Sequence, residues 1–277
     1  MPFSNKDDLR QYTNALEGMR IESIASAENL STLKLQWQMV LSGKRKYIEK
    51  QIINDIIEQD YFKVPKNNRD EPDLILDDGE MFELKVSHLF QSKGLIRPKY
   101  RLVLKVLNYE DMAENQNWRD SALYKKLRQM VIVFYYKDEE KPPWEWVVTS
   151  SFIWLSSDYD ESIQRDYTLT RSKVLAGQKI SESDTEILAN CPKHNSKFCW
   201  WCHVGEECDN RKKKHPAPHP VLKGALRKHP TLGMAERRGY CIPAQYMAVI
   251  FSNQIGMNLE RRGKSYGVPI ESVPNLN

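Results

Sequence analysis

The chain has 277 residues, long enough to bury a full core as one large domain or two small ones. Apolar residues make up 40% and charged residues 28%, which excludes disordered and fibrous classes. No apolar run approaches a membrane span and residues 1–8 lack a signal-peptide pattern, so a cytoplasmic protein without a membrane partner is expected. The net charge of +4 permits nucleic-acid binding without requiring it.

In chain order, residues 6–30 read as helical, with Leu9, Tyr12, Leu16, Met19, Ile21 and Ile24 as a broken apolar stripe. A polar break at Ser31 and Thr32 precedes a second helical stretch over Leu33–Leu41. The clearest helix spans Lys46–Phe62, where Ile48, Ile52, Ile53, Ile56, Ile57 and Tyr61 share one side and Glu58 falls late. A polar loop at 66–69 leads into a predicted β-hairpin. Leu74 to Leu76 form one strand, Asp77-Asp78-Gly79 a turn whose glycine takes φ > 0, and Met81 to Ser87 the return strand.

Further strands are predicted at Tyr100–Leu107, Met130–Tyr136 and Trp144–Val148, with a short helix over Trp118–Arg128. An amphipathic helix follows at Asp160–Leu175, then a strand at Glu186–Ala189. Residues 191–235 lose apolar periodicity and are rich in cysteine, histidine, lysine and proline, so they read as an insertion. A strand at Gly239–Pro243 and a closing helix at Ala244–Met257 complete an α/β pattern with one sheet and flanking helices.

Chemistry concentrates in the hairpin. Side chains alternate along a strand, so Glu83 and Lys85 share one face while Phe82, Leu84 and Val86 share the other. The turn folds Asp73 back toward Glu83, and two carboxylates with one ammonium can hold Mg²⁺ and position a water beside a phosphate. The order Pro72-Asp73…Glu83-x-Lys85 is the PD-(D/E)xK signature of metal-dependent nucleases. Alone it is weak, because an exposed strand with Glu-x-Lys is common.

A second cluster lies in the insertion. Four of the five cysteines, Cys191, Cys199, Cys202 and Cys208, fall in one short segment, which in a reducing compartment suggests metal rather than disulfides. Cys191-x-x-His194 and Cys199-x-x-Cys202 have the spacing of tetrahedral Zn²⁺ ligands, and His203, His215 and His219 are further candidates. Two ligand sets stay open: Cys191, His194, Cys199 and Cys202, or Cys199, Cys202 and Cys208 with a histidine. The basic runs at Lys44–Lys46, Lys125–Arg128, Arg211–Lys214, Arg237–Arg238 and Arg261–Lys264 could face DNA, but each read singly is a solvated edge.

Laid out in this order, the chain resembles the MutH mismatch-repair nickases and the GATC-cutting type II restriction endonucleases that share their fold. A family helix motif, Lys-Gly-x-x-Gly-x-x-x-Glu, corresponds to Lys50 through Glu58 with both glycines replaced, by Gln51 and Asn54. The family's Asp…Glu-Leu-Lys falls on Asp73, Glu83, Leu84 and Lys85, and its lysine-bearing helix before a hydrophobic strand resembles Lys125-Lys126-Leu127-Arg128. Segments like Arg101–Tyr109, Ile180–Thr185 and Arg238–Ile242 occur in the restriction branch, although Pro243 stands where a lysine is usual.

The resemblance implies a PD-(D/E)xK restriction-endonuclease-like fold over 1–277, a central mixed sheet flanked by helices, with 191–235 as a zinc-binding insertion. It implies that Asp73, Glu83 and the Leu84 carbonyl bind Mg²⁺, that Glu58 supports the metal shell, and that Lys85 and Lys126 act on water and phosphate. For Glu58 and Lys126 an ordinary solvated helix residue is an equally good reading. The expected activity is a site-specific cut of double-stranded DNA at a short, GATC-like site, by a homodimer on a palindrome or by two successive nicks. A repair nickase and a non-cleaving DNA-binding module are the alternatives.

Overall fold

A computed structural model of the chain describes residues 3–65, 72–106, 108–157, 160–176, 190–191, 196–197, 221–228, 236–242, 244–263 and 265–276. The chain forms two compact units, the first from Met1–Lys99, Gln129–Trp154 and Ala248–Asn277, the second from Tyr100–Arg128 and Leu155–Met247.

The first unit begins with helices α1 (Lys6–Asn14), α2 (Ile21–Ile24), α3 (Ala27–Leu41) and α4 (Lys50–Asp55). Asn5 caps α1 by accepting from the Asp7 and Asp8 amides, and Ser26 caps α3 by accepting from the Asn29 amide. The predicted Lys46–Phe62 helix is shorter and changes character: α4 passes into a π-helical turn at Ile56–Tyr61. The apolar spacing explains the change. Ile57 and Phe62 are both fully buried and five residues apart, a separation that an α-turn would send to different sides. A π-turn, with its i→i+5 bond from the Phe62 amide to the Ile57 carbonyl at 3.1 Å, keeps both inward.

The sheet of this unit is mixed, in the order β11-β12-β3-β2-β5-β6, with β1 also paired to β2. Its strands are β1 (Leu74–Ile75), β2 (Met81–Ser92), β3 (Leu95–Pro98), β5 (Gln129–Tyr136), β6 (Val147–Leu155), β11 (Glu260–Arg262) and β12 (Ser265–Pro269). β2 runs parallel to β5 and antiparallel to β1 and β3. It is longer than the predicted return strand because Lys93 and Gly94, both at positive φ, close a tight second hairpin onto β3. One side of the sheet, from Phe82, Leu84, Val86, Val131, Val133 and Tyr135, packs against Leu9, Leu33, Ile52, Ile53, Ile56 and Ile57 of the helices. On β5 the opposite side carries Phe134, whose ring meets Phe152 and, edge-on, Phe251 of the closing helix. The predicted strand at Trp144–Val148 is instead a 3₁₀ turn at Pro143–Glu145 followed by β6, since prolines 142 and 143 withhold the amides a ladder needs.

The second unit holds a three-stranded antiparallel sheet of β4 (Leu102–Val106), β10 (Glu236–Ile242) and β9 (Val221–Lys228). Within the predicted insertion 191–235, residues 221–228 form the paired strand β9, in register Cys241 with Val221. A two-residue pair, β7 (Asn190–Cys191) with β8 (Ser196–Lys197), is also formed. Helices α5 (Tyr109–Glu114), α6 (Ala122–Leu127) and α7 (Asp160–Leu175) complete the unit. Tyr167 and Arg171 of α7 donate to the carbonyls of Asn115 and Ala113, fixing α7 to α5. The predicted strand at 186–189 lies outside the described residues. Helix α8 (Ala244–Gln254) matches the predicted closing helix, and the hairpin β11–β12 after it had no sequence signal.

Candidate active site

The site is assembled on the β1–β2 hairpin. Leu74 pairs with Phe82 and Ile75 with Met81, so the register sets Asp73 opposite Glu83. The turn is closed by the Leu76 amide on the Glu80 carbonyl at 2.8 Å and the Glu80 amide on Asp78 Oδ1 at 2.9 Å, with Gly79 at φ +85°. Asp73 Oδ2 then accepts from the Leu84 amide at 2.9 Å, which fixes one carboxylate oxygen beside β2.

Glu83 is 3% exposed, and Lys85 Nζ forms an ion pair with Glu83 Oε1. Two residues apart on one strand, they share a face as the alternation requires. Glu58 arrives from the π-turn. Its carboxyl is pushed up to about 7, first by burial, then by the negative charge of Asp73, with Asp55 and Glu83 adding to it and Lys85 opposing. Lys50, at the start of α4, is lowered by burial; Glu58 holds it up and Lys85 lowers it further. Four carboxylates, Glu58, Asp73, Asp55 and Glu83, and two ammonium groups, Lys50 and Lys85, therefore share one partly desolvated field.

His88, further along β2, is driven down to about 4 by burial and by the charges of Lys50, Lys137 and Lys99, so it is neutral at physiological pH. Its ring lies 6.0 Å from that of Tyr135. Neither Lys50 nor His88 was singled out as a site residue from the sequence. For Lys50 the signal existed in its place at the head of the helix motif; for His88 it did not, because the lysines around it come from distant segments.

The structure thus brings Glu58, Asp73, Glu83 and Lys85 together within the first unit. Lys126 belongs to the second unit, half-buried on α6, whose N-cap Ser121 accepts from the Tyr124 amide at 3.3 Å. Among the described residues no three His, Cys, Asp or Glu side chains stand ready to hold a metal ion. The carboxylate chemistry nonetheless fits Mg²⁺, a hard cation that takes one or two protein carboxylates and completes its shell with water and phosphate oxygens. Of the zinc candidates, only the backbone of Cys191 is described; His194, Cys199, Cys202 and Cys208 lie outside the described residues, as do His203, His215 and His219. Two of the basic runs are partly neutralised locally. Arg45 pairs with Glu49 at 2.7 Å, and Arg262 pairs with Glu260 at 3.0 Å while donating to the Lys93 carbonyl.

With this geometry in place, residues 62–166 match the family model described as DNA mismatch repair enzyme MutH. The matched stretch contains Asp73, Glu83, Lys85 and Lys126, and it begins after Glu58. No curated protein matches the chain. No helix among the described residues is long and apolar enough to cross a membrane.

Proposed function

We propose that this chain, which carries a MutH-family domain over residues 62–166, is a Mg²⁺-dependent, site-specific DNA endonuclease of the type II restriction kind. The observation that carries this reading is the convergence of Asp73, Glu83, Lys85 and Glu58 at one hairpin. Asp73 and Glu83 would hold the cation by carboxylate oxygens, with the Leu84 carbonyl as a third donor and Glu58 supporting the shell. A cation there would neutralise charge on the scissile phosphodiester and acidify the attacking water. Lys85, already drawn to Glu83, would donate to that water and orient it in line with the phosphorus. Lys126 would steady a phosphate oxygen, with residues 1–277 acting as one endonuclease.

A single set of such groups cuts one strand, so a double-strand cut needs a homodimer on a palindrome or two successive nicks. The restriction reading draws on the resemblance of Arg101–Tyr109, Ile180–Thr185 and Arg238–Ile242 to the restriction branch. The description of the matching family favours a second reading, a strand nickase of mismatch repair. Structural Zn²⁺ in 191–235 rests on the Cys/His spacing alone, and elemental analysis of the purified protein tests it: about one zinc per chain supports it, none removes it.

The deciding experiment incubates the protein with unmethylated plasmid in Mg²⁺, with EDTA as control. Discrete linear fragments support the restriction enzyme, and their ends give the site. Nicked circles alone move the assignment to the nickase. Binding without cleavage leaves only a DNA-binding module.

A further inference from the structure

Glu58 does not sit on an ordinary helix. It is the third residue of the π-turn Ile56–Tyr61, a rare geometry that occurs mostly as single turns joined to α-helices, frequently at functional sites. The surroundings of this turn are specific. Asp60, two residues on, turns its carboxylate to the start of α3, where Oδ2 accepts from the Ser26 amide at 2.8 Å and from Asn29 Nδ2 at 2.8 Å. Tyr61 and Tyr12 are cross-tied, each hydroxyl donating to the other's carbonyl at 2.8 Å. Past the turn, Lys63 takes φ +57°, its Nζ donates to the Asp60 carbonyl at 2.5 Å, and the Val64 amide donates to the Glu58 carbonyl at 2.8 Å. The carbonyls of Glu58 and Asp60 are thus bound by the residues just after the turn, while the Asp60 side chain is held by the start of α3.

We propose that Asp60 is a positioning residue: by bracing the π-turn against the N-terminus of α3 it holds the Glu58 carboxylate at the Asp73–Glu83 cation site. This inference rests on the reading of Glu58 as part of the carboxylate set. The Asp60 carboxylate accepts from Ser26 and Asn29, at the start of α3, so it acts only through the backbone it anchors. Both of its bonds fall on one oxygen, which a carboxamide oxygen can replace.

The test measures Mn²⁺ binding to the full chain by paramagnetic resonance, without DNA, alongside the thermal midpoint. Asp60→Ala is expected to weaken Mn²⁺ binding by about tenfold, the scale of losing an outer residue that orients a ligand. Asp60→Asn restores most of the affinity. The pair Asp60→Ala with Glu58→Gln binds as Glu58→Gln does alone, because the brace has nothing left to aim. Asn29→Ala, which removes one of the two donors, gives a smaller loss in the same direction and decides the matter should Asp60→Ala fail to fold.

Unchanged affinity in Asp60→Ala and Asn29→Ala overturns the proposal, and so does a loss in the double variant that adds fully to that of Glu58→Gln. If Asp73→Asn weakens Mn²⁺ binding while Glu58→Gln does not, the brace is refuted and the cation site stands. If Asp73→Asn has no effect either, the reading of the site itself has failed.

Discussion

Lys85 and Glu83 are the residues on which the proposed site turns, because their ion pair sits on the strand face opposite Asp73 and their charges reach Glu58. Removing one preorganised charge from a phosphoryl-transfer site costs on the order of 100-fold to 1,000-fold in rate. Asp73→Asn and Lys85→Ala are each expected to lose cleavage on that scale in a plasmid assay while keeping the circular dichroism of the parent. Glu58 adds a signature in pH. It titrates at 4.5 when unperturbed and at about 7 in the folded protein. The proton it retains favours folding fully below about 4.5, and that contribution is gone above about 7, so stability falls as pH rises across this window. Glu58→Gln is expected to flatten the dependence and to raise stability at pH 8 by ~1–2 kcal/mol in urea denaturation, allowing for partial exposure. A mutant that follows the parent from pH 5 to pH 8 would place Glu58 elsewhere.

Among the elements, the hairpins show which glycines matter and why. Gly79 takes φ +85° with open space around a would-be Cβ, so Gly79→Ala meets only backbone strain, expected at ~1 kcal/mol. Gly267 has an ordinary backbone, but a Cβ there would stand 2.6 Å from the Ile96 carbonyl oxygen across the β12–β3 pair. Gly267→Ala is expected to cost more, ~1–3 kcal/mol, because two strands must part. Urea melts of the two variants rank them, and the reverse order would contradict the described strand contact. The β1–β2 turn was legible in the chain because Asp-Asp-Gly has one economical geometry. The π-turn was not, since its cause is the joint burial of Ile57 and Phe62, and burial is a property of the assembled unit.

On the scale of the whole molecule, the second unit carries a buried carboxyl of its own. Asp166 is fully buried on α7, and burial raises it from 3.8 to about 8 against the pull of Arg165. Its retained proton favours folding fully below about 3.8, and that contribution is lost as pH rises through about 8. Asp166→Asn is therefore expected to stabilise the protein at pH 9, by a few kcal/mol (~2–4), and to change little at pH 4. Thermal melts at the two pH values check it; equal shifts at both would show that Asp166 does not titrate as placed. Glu58 and Asp166 both lower stability on the alkaline side, whereas His88, held near 4, lowers it as pH falls from 6.5.

The local order of this protein was determined by the sequence itself: the apolar stripes of the helices, the Asp-Asp-Gly turn, the Glu-x-Lys alternation, and the strand Met130–Tyr136, observed from Gln129. Each follows from contacts between residues near in the chain, where periodicity and turn chemistry leave few options. Tertiary structure alone decided the rest. It set Glu58 on a π-turn, lengthened β2 into a second hairpin, paired residues 221–228 with β10, and drew Lys50 and His88 into one electrostatic field. Those outcomes depend on which distant segments exclude water from one another, and a linear pattern of residue types does not encode that partnership.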